Sequence, residues 1–278
     1  MKHIKKLALL GLTAVMSLSL LAGCGGGTTG AADTPAGGST APVTEDQEPA
    51  EGGFTTVEEG KLILSTNAEF APYEMLDDSG NPIGIDMEVG AAIAEKLGLE
   101  LQIDDMGFDA ALLAVQNGQS DIAMAGITVD EERLEVMDFT DTYATGVQVV
   151  IVKDGSDVTL DNLGEKMIVT QMGTTGFIYC TDDYGEDHVI GYETGAVAVQ
   201  ALVNGQIDAV VIDNLPAQSY VEANEGLTIL DTEYAVEDYA IGVKKGNTAL
   251  LEAVNSAMAE LKADGTFQNI VDKYIKAD

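Results

Sequence analysis

The 278 residues carry 47 acidic against 13 basic side chains, a formal net charge of −34. Such a field repels nucleic acid and other polyanions, so neither is an expected partner. Two cysteines, Cys24 and Cys180, are too few for a cysteine-type zinc site, and the acidic run Asp182, Asp183, Glu186, Asp187 lacks the alternation and glycine of a calcium loop; no metal or cofactor is expected.

In chain order, the first element is an address. Lys2, Lys5 and Lys6 precede an apolar run over residues 7 to 21 that is too short and too rich in small residues to span a bilayer comfortably. Residues 1 to 23 read as a signal peptide. The run ends in Leu21-Ala22-Gly23-Cys24, which looks like a lipobox, with Cys24 the lipidated residue; the alternative is an ordinary signal peptide beside a chance cysteine. Lipidation would anchor the chain to the outer face of the cell membrane. Residues 24 to 59, rich in Gly, Thr, Ala, Pro and acids, read as a flexible tether because little apolar area is available to offset ordering. With Cys24 carrying lipid, Cys180 stands alone and no intramolecular disulfide can form.

The body from about residue 60 has length for two lobes. Strands are predicted at 61 to 66 (KLILST), 101 to 103 and 121 to 128 (DIAMAGIT), with helices at 87 to 97 and 109 to 116, the latter with Asp109 as N-cap. Further strands are expected at 147 to 152, 167 to 170 and 209 to 212, then helices at 249 to 262 and 267 to 275. This alternation predicts an α/β fold with parallel strands. The segment NGQSDIA at 117 to 123 is echoed by NGQIDAV at 204 to 210, each after an apolar helix and before an apolar strand. The echo suggests two similar lobes, against the alternative of one recurring turn. Ligands of open α/β sheets bind beyond the carboxyl ends of strands, which singles out Ala125, Gly126 and Thr128 in the first copy and Asp213 in the second.

Arg133 is the sole arginine and falls just past such a strand end. Its fork suits a carboxylate; a structural ion pair with Asp130 or Glu131 is the competing role. Thr174 and Thr175 follow the 167 to 170 strand and open a helix whose N–H groups suit an anion. Asp213 could accept from an ammonium group or simply cap the next turn. Phe70, Tyr73 and Phe108 are loop aromatics placed to pack on a ligand side chain, or to fill core.

These residues fall in segments resembling the amino-acid-binding proteins of ABC importers, the family 3 extracellular solute-binding proteins. The resemblance spans the body and is carried by LSTNAEFAPY at 64 to 73, GIDMEV at 84 to 89, AGIT at 125 to 128 through Glu132-Arg133, DFT at 138 to 140 with Tyr143, QMGTT at 171 to 175, DAVVID at 208 to 213 and DGT at 264 to 266. It implies a two-lobed periplasmic-binding-protein-like fold closing on its ligand, with lobe 1 formed by residues 60 to 145 plus 238 to 278 and lobe 2 by 146 to 237. It implies that Arg133 and Thr128, helped by Thr174 and Thr175, hold an α-carboxylate. Gly126 and Asp213 would take the α-ammonium, and Phe70 and Phe108 would flank the side chain. Relatives that prefer basic or amide side chains often carry Asp where this chain has Asn67; with Gln171 as a second neutral amide, a polar uncharged amino acid is implied. The implied partners are an importer permease and ATPase, and a monomer is the expectation. The rival readings are a ligand-sensing surface lipoprotein and a dehydratase-like enzyme. For the enzyme, the sequence offers no positioned acid or base beyond Glu69, and His188 sits in an acidic surface run.

Overall fold

A computed structural model describes residues 53–275. The signal segment, Cys24 and the tether up to residue 52 lie outside the described residues. Of the stretch expected to be tether, residues 53–59 are described and pack on the body. Phe54 is buried in the same core cluster as Leu62 and Leu64, and the Val57 N–H donates to Asp121 at 2.7 Å. One aromatic ring supplies the apolar area that fixes this stretch.

Two mixed sheets form the two lobes. The first runs in the order Glu100–Asp105, Lys61–Thr66, Ile122–Ala123, Gly242–Lys244, Met137–Phe139. Its first three strands are parallel, and Gly242–Lys244 opposes both of its neighbours. Both faces are buried, and period-2 alternation assigns them: Ile122 and Met124 join a core with Val254 and Ile93, while Ala123 and Ala125 face Val115 and Met137.

The second sheet contains Val189–Tyr192, Ile168–Gln171 and Ala209–Asp213 in parallel. Ala144–Lys153 opposes Ala209–Asp213, and Leu227–Ile229 and Ala235–Tyr239 both oppose Ala144–Lys153. Val149 and Ile151 enter one core and Val150 and Val152 the other. The chain enters this sheet along Ala144–Lys153 and returns along Ala235–Tyr239, the two crossing segments pairing from Ala144↔Tyr239 to Gln148↔Ala235.

The echoed turns do the same work in both sheets. Asp121 accepts from the Ile63 N–H at 2.7 Å and Asp208 from the Met167 N–H at 2.8 Å, each pinning the start of the neighbouring parallel strand. Two local expectations fail. The strand expected over 121 to 128 is only Ile122–Ala123. Gly126 turns left-handed with φ 54° and ends the ladder. Asp109 does not cap its helix: Phe108–Gln116 begins one residue earlier, on Gly107. Among the described residues no helix is long and apolar enough to cross a membrane.

Candidate functional site

Where strand carboxyl ends of the two sheets face each other, a cavity is lined from both lobes. Asn67, Phe70, Phe108, Ala125, Gly126, Thr128 and Arg133 line it from the first lobe; Gln171, Thr174, Thr175 and Asp213 line it from the second. Of the ligand residues expected from sequence, all but Tyr73 meet here.

Arg133 is placed by its own helix cap. Asp130 accepts the Arg133 N–H at 2.8 Å, starting the short helix Glu131–Val136, and its second oxygen lies 3.3 Å from Arg133 Nε. The structural ion pair weighed from sequence thus exists, but it uses only the Nε edge. Nη1 donates to the Thr128 carbonyl at 2.8 Å and Nη2 to the Gly173 carbonyl at 3.1 Å. The remaining Nη hydrogens are free for the cavity. The guanidinium lies 5.5 Å from the Phe108 ring centroid, and Arg133 is only 7% exposed. Burial pulls its pKa down while Asp130 and Glu237 hold it up; Arg remains charged.

The segment carrying Thr128 is fixed by the return crossing. Val129 N–H donates to Asp238 at 3.1 Å and Ala240 N–H to Ile127 at 3.1 Å, around a Thr128↔Tyr239 bridge. Thr174 caps the helix Thr175–Tyr184, accepting the Phe177 N–H at 3.3 Å.

Asp213 ends its strand fully buried and does cap the next helix, accepting from Leu215 N–H at 3.1 Å. It also accepts from Val147 N–H and from the Tyr239 hydroxyl, both at 2.9 Å. Burial raises its pKa to about 6, against the pull of these three donors. A carboxylate has more acceptor sites than these donors fill.

The lobes are closed on each other. Gln171 donates to Asn67 at 2.9 Å, Thr128 and Thr175 hydroxyls meet at 3.3 Å, Arg133 reaches Gly173, and Tyr220 donates to the Glu69 carbonyl at 3.3 Å.

One expectation needs revision, and the lining extends the list. Tyr73 does not reach the cavity; it is buried in the first core, edge-on to Tyr239 with centroids 5.6 Å apart. Glu74, Gln148 and Tyr239 do line the cavity and were missed. Gln148 was detectable as the one amide in an otherwise apolar strand; Glu74 and Tyr239 owe their places to long-range packing. His188 is partly exposed and lines no part of the cavity.

A two-lobed α/β protein with an Arg and an Asp on opposite walls of an interlobe cleft is built to capture a small ligand. The chain belongs to the bacterial extracellular solute-binding proteins, family 3, whose family model matches residues 62–277. It is 32% identical over 225 residues to a probable histidine-binding protein of Neisseria gonorrhoeae, covering 77% of this chain and 83% of that one. To the ABC transporter glutamine-binding protein GlnH of Bacillus subtilis it is 30% identical, over 100% of this chain and 99% of that one. Among solved structures, an ancestral arginine-binding protein bound to glutamine superposes with a TM-score of 0.75 at 36% identity, over 79% of this chain and 100% of that one. The relatives are binding proteins, and this protein is a binding protein rather than an enzyme.

Proposed function

We propose that the protein captures a polar, uncharged amino acid outside the cell and hands it to the permease and ATPase of an ABC importer. The observation that carries the reading is Arg133: a buried cation with unspent N–H groups, on the opposite lobe from the buried carboxylate of Asp213. A zwitterion complements that pair. Its carboxylate would sit on Arg133 with Thr128, Thr174 and Thr175, and its ammonium on Asp213 and the Gly126 carbonyl. Phe70 and Phe108 would flank its side chain.

The preference for an uncharged side chain rests on the Asn67–Gln171 pair. Asn67 donates to the Met106 carbonyl at 3.1 Å and accepts from Gln171, so this wall offers amides and no charge. Lobe 1 would comprise residues 60–145 and 238–278 and lobe 2 residues 146–237. Lipid on Cys24 would tether a monomer to the outer face of the membrane.

Calorimetric titration of the purified protein with the twenty amino acids and cystine tests the reading. Tight binding of one or a few neutral members is expected. Preference for arginine or lysine would refute the specificity, and no binding at all would refute the ligand class.

A further inference from the structure

Glu74 lies in the wall of the cleft, fully buried, and neither of its carboxyl oxygens receives a hydrogen bond from any N–H or neutral hydroxyl. Beside it is another buried carboxyl, Asp86, whose N–H donates to the carbonyl of Tyr73, the residue before Glu74, at 2.9 Å. The sequence forces them together. Gly84 adopts φ 130°, and an added Cβ there would lie 2.2 Å from the Tyr73 carbonyl. This tight approach lets Ile85 and Asp86 N–H groups bond the Pro72 and Tyr73 carbonyls at 3.1 and 2.9 Å. The start of helix Ile85–Leu97 is thereby clamped against strand Glu74–Leu76.

Two ionised carboxylates cannot face each other in a dry wall without a cation. The groups around Glu74 are Asp86, Asp213 from the end of strand Ala209–Asp213, Asp105 from the end of strand Glu100–Asp105, and the phenols of Tyr73 and Tyr143. Among the described residues the ion pairs all engage other carboxylates. The donors distribute unequally. Asp86 accepts the Tyr143 hydroxyl at 2.9 Å and the Gly126 N–H at 3.4 Å; Glu74 accepts nothing.

We propose that Glu74 and Asp86 share one proton, carried by Glu74, and that through Asp86 this pair positions the Gly126 peptide at the ammonium end of the cleft. Asp86 is the ionised acceptor, already supplied with donors, and Glu74 is the neutral acid that donates to it. The arrangement does two things. It orients the peptide whose carbonyl would receive the ligand's ammonium. It also leaves Arg133 and Asp213 as the charges of the cleft, a balance that fits a zwitterion; an ionised Glu74 would add a negative charge and favour a basic ligand. Burial and Asp86 both raise the Glu74 pKa, in keeping with this assignment. The positioning half rests on the amino-acid reading above; the proton does not.

The test has two arms on the full chain. Infrared spectra of the ligand-free protein at pH 7 should show a protonated-carboxyl stretch that moves on carbon-13 labelling of glutamate and disappears in Glu74→Gln. Absence of that band, its persistence in the variant, or a response only to labelled aspartate would overturn the assignment. If Glu74→Gln does not fold, the labelling result in the wild type decides alone. In the binding arm, with L-glutamine or whichever of the twenty amino acids the wild type takes, Glu74→Ala should weaken binding on the order of tenfold. Glu74→Gln, which keeps a donor, should rescue most of the loss. Equal damage by both variants would overturn the positioning role. A wild type that binds no amino acid but shows the band would refute the proposed function and leave the shared proton standing.

Discussion

Replacing Arg133 with alanine removes the one arginine of the chain from the cleft. Two of its N–H groups hold the Thr128 and Gly173 carbonyls at 2.8 and 3.1 Å, and the rest are available to a carboxylate. Truncating one partner of a buried charge pair costs about 2–5 kcal/mol of binding. Arg133 is buried, yet Thr128, Thr174 and Thr175 remain as neutral donors, so a loss of about 3 kcal/mol is expected. That is a weakening on the order of 100-fold. The fold should lose less, since Asp130 keeps its capping bond to residue 133 through the backbone; loss of the Phe108 contact and of the ion pair costs about 1–2 kcal/mol. Isothermal titration of the preferred amino acid, beside urea unfolding, separates the two effects. Arg133→Lys should recover little, because an ammonium cannot offer two parallel N–H bonds. A dissociation constant within threefold of wild type in a folded Arg133→Ala protein would show that the carboxylate is held elsewhere.

Asn67→Asp places a charge on the amide wall and should shift the arginine-to-glutamine affinity ratio on the order of tenfold towards arginine, read by competition; an unchanged ratio would place Asn67 away from the ligand side chain. Gly126→Ala meets φ 54° and puts a Cβ 2.7 Å from the Phe70 ring, so it should destabilise by about 1–3 kcal/mol and weaken binding, checked by the same unfolding and titration. Stability of the ligand-free protein should rise as pH falls from about 7 to 4. Burial raises Asp86 and Asp213 to about 6 each, so the folded state binds more protons than the unfolded chain, and the cost of ionising them is present above that range and relieved below it. Each group accounts for about 3 kcal/mol at full relief. A melting temperature that falls steadily over that interval would contradict the assignment.

The parts of this protein visible in sequence are those set by local periodicity. Alternating apolar residues located both sheets, and the NGQ-x-D echo foretold two equivalent turns, because Asp121 and Asp208 each accept a backbone N–H, from Ile63 and Met167, on the neighbouring parallel strand or at its entry. Site residues could be placed because strand ends are where an α/β sheet exposes backbone and loops, so Arg133 and Asp213 stood out by chemistry and position together. What escaped depends on pairing across long stretches of chain. Tyr239 reaches the cleft through its bridge to Thr128, and Glu74 acquires meaning only beside Asp86. The missed end of the DIAMAGIT strand has a different cause: hydrophobic pattern says nothing of backbone sign, and Gly126 turns the chain although Ile127 stays buried.

Charge gives closure its dependence on ligand. The chain has a net charge of −34, and both lobes contribute acids, so bringing them together works against like-charge repulsion. The direct bonds across the cleft are between neutral groups, or from Arg133 to a neutral carbonyl, each worth about 1 kcal/mol net. Among the described residues none is an ion pair between the lobes, and the attraction of opposite charges across the cleft is the longer-range pull of Glu237 on Arg133. On the proposed reading, a zwitterion lying between Arg133 and Asp213 would add a direct attraction: its carboxylate would satisfy the cation of one lobe and its ammonium the anion of the other. Because both contacts could exist together only when the lobes meet, such a ligand would bind the closed state better than the open one, which is the condition for it to shift the equilibrium. A molecule with only a carboxylate would occupy Arg133 and leave Asp213 without its counter-charge. It should therefore bind the open lobe without driving closure.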